Sequence, residues 1–324
     1  MATPRRRFGT WIAACAAALA CSAFAQGTPT RPITLVVPYP PGGGHDAMAR
    51  IVAERLTARL GQTVLVDNKA GAGGLIGAEY VARAAPDGAT FLFASPAEIV
   101  IAPSVYKSMR YDPAKDLAPV TLAGMTPLVI VAHPSLHVKT VAELVALAKS
   151  RPGTLSFGTA GNGSSQHLAG VLLDRNAGID LQHVPYKGAG PATNDVVGGQ
   201  IPLAIVGMAP VMGHIKAGKL VPLAITQSRR ASFAPDLPTV TETVKGVEAT
   251  HWMGVFAPAR TAPEVVQKMQ ADIAAVVNAP DVKARLLSMG IEPVGSTPAE
   301  FRDFLAADRE RFATMFKLSG LTPE

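Results

Sequence analysis

The residues Val37-Pro38-Tyr39-Pro40-Pro41-Gly42-Gly43-Gly44-His45-Asp46 have the types and spacing to hold an anion. An apolar run, Ile33 to Val37, leads into them, and an amphipathic run with Met48, Val52, Leu56 and Leu60 on one face leads out. That pattern predicts a buried strand, a stiff loop and a helix start. The first turn of a helix has unpaired backbone N–H groups and the positive end of the helix dipole, and both favour a negative group. Three glycines allow close approach to the backbone, and two prolines fix the entry path. Gly158-Thr159-Ala160-Gly161-Asn162-Gly163-Ser164-Ser165-Gln166-His167 repeats the combination with hydroxyls added. One such loop alone reads as an ordinary turn; two on strand-to-helix junctions point to a ligand site. Asp46 reads either as the helix cap or as a side chain that bonds loop amides and pairs with Arg50. His45 reads as exposed loop, placed where a polar ligand group could reach it.

Other chemistry is weaker. Gly163-Ser164-Ser165-Gln166-His167 resembles a nucleophile elbow, but His167 stands where the second glycine belongs. His133 and His137 are four apart, yet Pro134 lies between them and no glutamate follows the first, so no metal site is expected. His183, His214 and His251 are scattered and read as structural or exposed. Gly71-Ala72-Gly73-Gly74-Leu75-Ile76-Gly77 departs from dinucleotide-loop spacing and reads as a tight turn packing a helix on a sheet. The chain is therefore expected to carry no cofactor and no metal and to be no enzyme, an exported α/β enzyme remaining a remote alternative.

These loops need elements to position them. Short apolar runs at 33–37, 64–66, 90–94, 128–132, 155–157, 181–184, 202–206, 221–225 and 253–257 predict strands. Helical patterns occupy 46–60, 75–85, 140–150, 166–176, 189–198, 210–217, 263–278, 281–289 and 298–316. Apolar strands without alternation are buried on both faces, and alternation of β with α argues for parallel, doubly wound sheets. Thr140/Glu143, Thr261/Glu264 and Thr297/Glu300 have capping-box spacing. Loops 38–46, 95–98, 158–167 and 207–210 follow strands directly, and ligands of such sheets bind outside the carboxyl ends of the strands. The helices after 263 have no strands of their own and are expected to pack on an earlier sheet.

The chain opens with Arg5-Arg6-Arg7, an apolar segment from Trp11 to Leu19 and Ala23-Phe24-Ala25 before Gln26, which is the form of a cleavable signal peptide over 1–25. Arg5-Arg6-Arg7-Phe8 also has a faint twin-arginine look, and Cys21 follows a poor lipobox. Both cysteines, Cys15 and Cys21, lie in this leader, so the mature chain has no disulfide. Loss of the three arginines takes the net charge from +6 to +3. With no basic block, nucleic acid is excluded as a partner. A mature chain near 300 residues with 48% apolar residues can form two cores.

Val37–Arg50, Asn68–Gly77, Pro86-Asp87-Gly88, Gly158–Ser164, His183–Gly188 and His214–Leu220 together resemble, in order, the signatures of the Bug-type extracytoplasmic solute receptors, also called the tripartite tricarboxylate transporter receptor family. The resemblance implies a periplasmic, monomeric α/β protein of two lobes, type II-like, with doubly wound sheets and a ligand cleft between lobes. Residues 26–126 plus 255–324 are expected to form one lobe and 127–254 the other. The implied ligand is a small organic carboxylate, held by Tyr39, Pro41, Gly42, Gly43, Gly44, His45 and Asp46, with Ser95, Pro96 and Ala97, with Thr159, Ala160, Gly161, Ser164 and Ser165, and with Met208. The implied partner is a pair of membrane permease subunits or, alternatively, a sensor kinase. Where many members have an aspartate this chain has Val206, which argues for a carboxylate without an amino group.

Overall fold

The computed structural model of the chain describes residues 31–231 and 233–323. The reading of 1–25 as a leader falls outside them. The described elements alternate as the sequence predicts. They run β1 (Ile33–Val37), α1 (Gly44–Leu60), β2 (Val64–Asn68), α2 (Leu75–Ala82), β3 (Thr90–Ala94), α3 (Ala102–Val105), α4 (Pro113–Asp116) and β4 (Leu117–Ala132). Then come α5 (Val141–Ser150), β5 (Leu155–Thr159), α6 (Ser165–Ala177), β6 (Leu181–Pro185), α7 (Ala189–Val197), β7 (Leu203–Gly207), α8 (Met208–Lys216) and β8 (Val221–Ile225). The chain ends with β9 (Thr250–Pro258), α9 (Pro263–Val277), α10 (Pro280–Ser288), β10 (Glu292–Pro293) and α11 (Pro298–Ser319).

The strands form one path, β2-β1-β3-β9-β4-β7-β5-β6, with β8 and β10 also paired to β4. The parallel pairing expected from βα alternation holds at both ends, in β2-β1-β3 and in β7-β5-β6. The centre is antiparallel: β9 runs against β3 and β4, and β4 against β7 and β8. β4 is the reason. Its first half, to Pro127, pairs with β9, and its second half, from Leu128, pairs with β7 and β8. Only 128–132 reads as strand in the sequence, because Pro119, Gly124 and Pro127 interrupt the apolar run. The register with β9 shifts between Pro119 and Thr121 and again between Leu122 and Gly124.

Both faces of the sheet are covered. Leu35 and Val37 of β1 pack with α1 and α9, while Val36 turns to the side of α2 and α11. In β7, Ala204 and Val206 pack with Ala192, Val196 and Val211 of α7 and α8, while Leu203 and Ile205 face α6. The late helices α9 and α11 do pack on β4. α11 also packs on α6, and Asp308 accepts a hydrogen bond from the Trp252 indole at 2.7 Å.

One of the three expected capping boxes forms in full and a second only in half. Thr297 and Glu300 close a full box, and Thr140 caps α5 while Glu143 takes the Lys139 amide instead of that of Thr140. The third does not. Pro263 occupies the first turn, so Ala262 becomes the cap and the Thr261 hydroxyl is left buried and unpartnered. Among the described residues no helix is long and apolar enough to cross a membrane.

Candidate functional site

The loop after β1 is tied down by Asp46. This residue is not the cap: α1 starts at Gly44, and its N-cap, Gly43, has no side-chain hydrogen bond. Asp46 sits in the first turn and accepts from the Gly42 amide at 3.2 Å, Asn68 Nδ2 at 3.0 Å and Arg50 Nε at 3.1 Å. Burial opposes its charge, but the bonds from Arg50, Gly42 and Asn68 prevail and lower its pKa. Asn68 also donates to the Tyr39 carbonyl at 2.9 Å, so the far end of the loop is anchored to β2. Gly42 adopts φ +94°, a left-handed conformation that favours glycine there.

The facing loops come from the other side of the sheet. Ser164 caps α6 by accepting from His167 N and donates to the Gly161 carbonyl. That bonding makes Ser164 a structural cap, not a nucleophile. Thr159 Oγ1 bonds His183 at 2.7 Å and accepts from the Gly161 amide. α7 and α8 start behind Gly188 and Gly207, neither of which has a side-chain cap. These starts press on the first loop. A Cβ on Gly190 would lie 3.2 Å from the Pro41 carbonyl, and one on Gly44 would lie 3.2 Å from Ala209 Cβ.

A cavity, open at its mouth, lies where these loops meet. Of the expected ligand residues, Tyr39, Gly43, Gly44, His45 and Ala160 line it. Tyr39, Ala160 and Gly161 line an adjoining cavity that reaches Lys187. Pro41, Gly42 and Asp46 shape the first loop from behind, as Thr159 and Ser164 shape the second. Ser165 is buried beneath the wall, its hydroxyl 3.0 Å from His251 Nδ1. Met208 is turned away into the core, where it occupies the space left by the missing side chain of Gly290. Val206 is likewise a core residue against α7 and α8, so the neutral character of the cavity does not come from it.

Ser95, Pro96 and Ala97 follow β3 but are not at the cavity wall. Ser95 instead serves Glu98, a fully buried carboxyl in a π-helical turn over Ala97–Ile101. Glu98 accepts from the Ser95 amide at 2.7 Å, the Ser95 hydroxyl at 2.7 Å and the Tyr39 hydroxyl at 2.8 Å. Burial pushes its pKa up to about 7. The only sequence signal for it was an acid directly after a buried strand.

His45 is the main reversal. It is not exposed loop: it is buried in the first turn of α1 and forms part of the cavity wall. Its ring lies 4.9 Å from that of His251, which also lines the cavity. Burial lowers the pKa of His45 to about 4 and that of His251 well below the usual histidine value, so both are neutral. Sequence reasoning also missed Thr126, Gln166 and Met253 in the wall. Thr126 and Met253 lie on β4 and β9, whose pairing local pattern does not reveal. Among the described residues no Asp, Glu, Lys or Arg lines this cavity. Its wall includes Gly43 and Gly44 at the start of α1, Ala189 at the start of α7 and Gly207 at the start of α8. Uncapped helix starts in an uncharged wall suit an anion. Among the described residues no cluster of three or more His, Cys, Asp or Glu could hold a metal.

A family model described as the tripartite tricarboxylate transporter family receptor matches residues 48–321. BugT of Bordetella pertussis is 37% identical over 306 residues, 94% of each chain. The chain belongs to the tripartite tricarboxylate transporter receptor family. The receptor is also similar in structure to the periplasmic binding protein BugD, with a TM-score of 0.87 at 34% identity over 92% of this chain and 100% of that one. An R. palustris protein solved with adipate matches at 0.87 and 35% identity over 91% of this chain and 99% of that one. The family and these neighbours are solute-binding receptors and not enzymes.

Proposed function

We propose that this receptor captures a small organic carboxylate in the periplasm by closing two lobes around it, and presents it to membrane permease subunits. The observation that carries the reading is the convergence of the uncapped starts of α1, α7 and α8 on one cavity that no charged side chain lines among the described residues. Backbone N–H groups there have no carbonyl partner within their helices, and a carboxylate supplies the missing acceptors. The adipate in one structural neighbour supports a ligand of this class. The two lobes are the half-sheets on either side of the middle of β4. On this reading one lobe comprises 26–126 plus 255–324 and the other 127–254, and the pairing of β4 with β9 up to Pro127 and with β7 from Leu128 supports such a division. Export of the mature chain from Gln26 follows from the leader, and the family description supports a permease as the partner.

Titration calorimetry tests the ligand class. Linear dicarboxylates of four to six carbons are titrated beside their uncharged diamides. At least one dicarboxylate binds and its diamide does not. Diamide binding of equal strength, or no binding by any carboxylate, overturns the reading.

A further inference from the structure

The second cavity adjoins the first and carries a charge that the first lacks. The two share Tyr39 and Ala160 in their walls. The second lies between loops from both ends of the sheet: 71–74 follows β2, 160–162 follows β5, and Tyr186 and Lys187 follow β6. The facing loops come close, since a Cβ on Gly73 would lie 3.5 Å from the Asn162 carbonyl oxygen. Among the described residues Lys187 is the one charged side chain that lines either cavity. It is exposed, and among the described residues its ammonium group has no ion pair or hydrogen bond.

The position of Lys187 is set by its neighbours in the chain. The Tyr186 amide donates to the Thr159 carbonyl at 3.1 Å, and the Tyr186 hydroxyl donates to Asp195 at 2.6 Å. On the other side Gly188 packs against Pro40 in the wall of the first cavity, where a Cβ would lie 3.0 Å from Pro40 Cδ. The lysine therefore projects from an anchored turn beside the first cavity. One carboxylate at the helix starts needs no charged side chain. A second carboxylate on the same ligand repels the first, and the wall of the first cavity has nothing positive to offset it. Lys187 supplies that positive charge next door.

We propose that the adjoining cavity is the subsite for the far end of an elongated dianion, and that Lys187 is a specificity-determining residue that pairs with its second carboxylate. This rests on the carboxylate reading above. An exposed ion pair adds a few-fold to affinity, and more where closing loops exclude water.

The test is calorimetry with succinate, adipate and suberate, each beside its half-amide, which keeps one carboxylate and replaces the other by an uncharged group of similar shape. In the unmodified receptor at least one dicarboxylate binds roughly threefold or more tighter than its half-amide, beyond the factor of about two that two equivalent ends give. In Lys187→Gln that ratio falls below half its original value, the half-amide keeps its affinity, and the remaining ratio no longer varies with salt. Lys187→Arg retains the preference. Because Lys187 is exposed and unpaired, neither substitution removes a contact that holds the fold. A smaller ratio for every pair in the unmodified receptor overturns the proposal, as does a ratio that stays above half its value in Lys187→Gln. In either case a bound half-amide leaves the carboxylate reading standing. Failure of every acid and half-amide to bind defeats that reading and this proposal together.

Discussion

Replacing Glu98 by glutamine should remove a pH dependence from the stability of this protein. Glu98 is fully buried, and that burial raises its pKa from an ordinary 4.5 to about 7. The folded state therefore keeps the proton over a range in which the unfolded chain has lost it. The contribution of the neutral carboxyl to stability is full below about pH 4.5 and is lost as pH rises to about 7. Each pH unit across that range corresponds to roughly 1.4 kcal/mol, so the loss is about 3 kcal/mol in all. Glutamine matches the shape of the protonated acid. Its oxygen can accept from the Ser95 amide and its nitrogen can donate to the Ser95 or Tyr39 hydroxyl, the same partners Glu98 has now. Urea denaturation of both proteins at intervals from pH 4.5 to 8 measures the effect. Other buried groups, such as Asp174 with a pKa raised to about 7, contribute equally to both curves and cancel in the difference. The stability of Glu98→Gln relative to the parent should rise by about 3 kcal/mol between pH 4.5 and 7.5 and then level off. Parallel curves across the whole range would refute the reasoning, because they would mean that Glu98 ionises in the fold as it does in water.

Gly43→Leu should abolish ligand binding while changing stability by about 1 kcal/mol or less, since a Cβ there meets no atom and φ is −83°; retained affinity in calorimetry would displace the site. The same experiment at Gly161 is uninformative, because φ +131° and a Cβ 2.9 Å from the Tyr186 carbonyl would disturb the fold. Asp46→Ala should lower stability by about 1–2 kcal/mol, the half-exposed Arg50 pair adding little, but should lower affinity more than tenfold by freeing the loop. Unchanged affinity with a lowered melting temperature would make Asp46 purely structural. Small-angle scattering should show a smaller radius of gyration at saturating ligand, and an unchanged profile would point to lobes already closed. Intact mass of periplasmic material should correspond to a chain starting at Gln26, and a lipid-modified start at Cys21 would contradict the leader reading.

Much of this protein was legible locally. The helix α1 and the loop before it follow from an apolar run, a Pro-Gly stretch and a 3.6-residue period, all within some thirty consecutive residues. The caps at Thr140 and Thr297 are equally local, as are the glycine loops at the carboxyl ends of β1 and β5. The fold class and the family came from such signals in sequence order. What the cavity contains was decided by contacts between distant segments. His45 and His251 meet because β9 enters the sheet between β3 and β4, a pairing that no period within β9 announces. The first half of β4 is a strand despite Pro119, Gly124 and Pro127 because β9 supplies a partner along its length. Glu98 is unreadable from its neighbours in sequence: its burial depends on Tyr39 closing over it from another loop. Met208 and Ala209 are adjacent, yet one faces the core and the other the cavity, since the direction of a side chain at a helix start is set by what the helix packs against. Propensity and capping act over a few residues and can be read along the chain. Burial, and with it the charge and hydrogen-bonding state of the site, depends on which faces meet, and only the assembled sheet determines that.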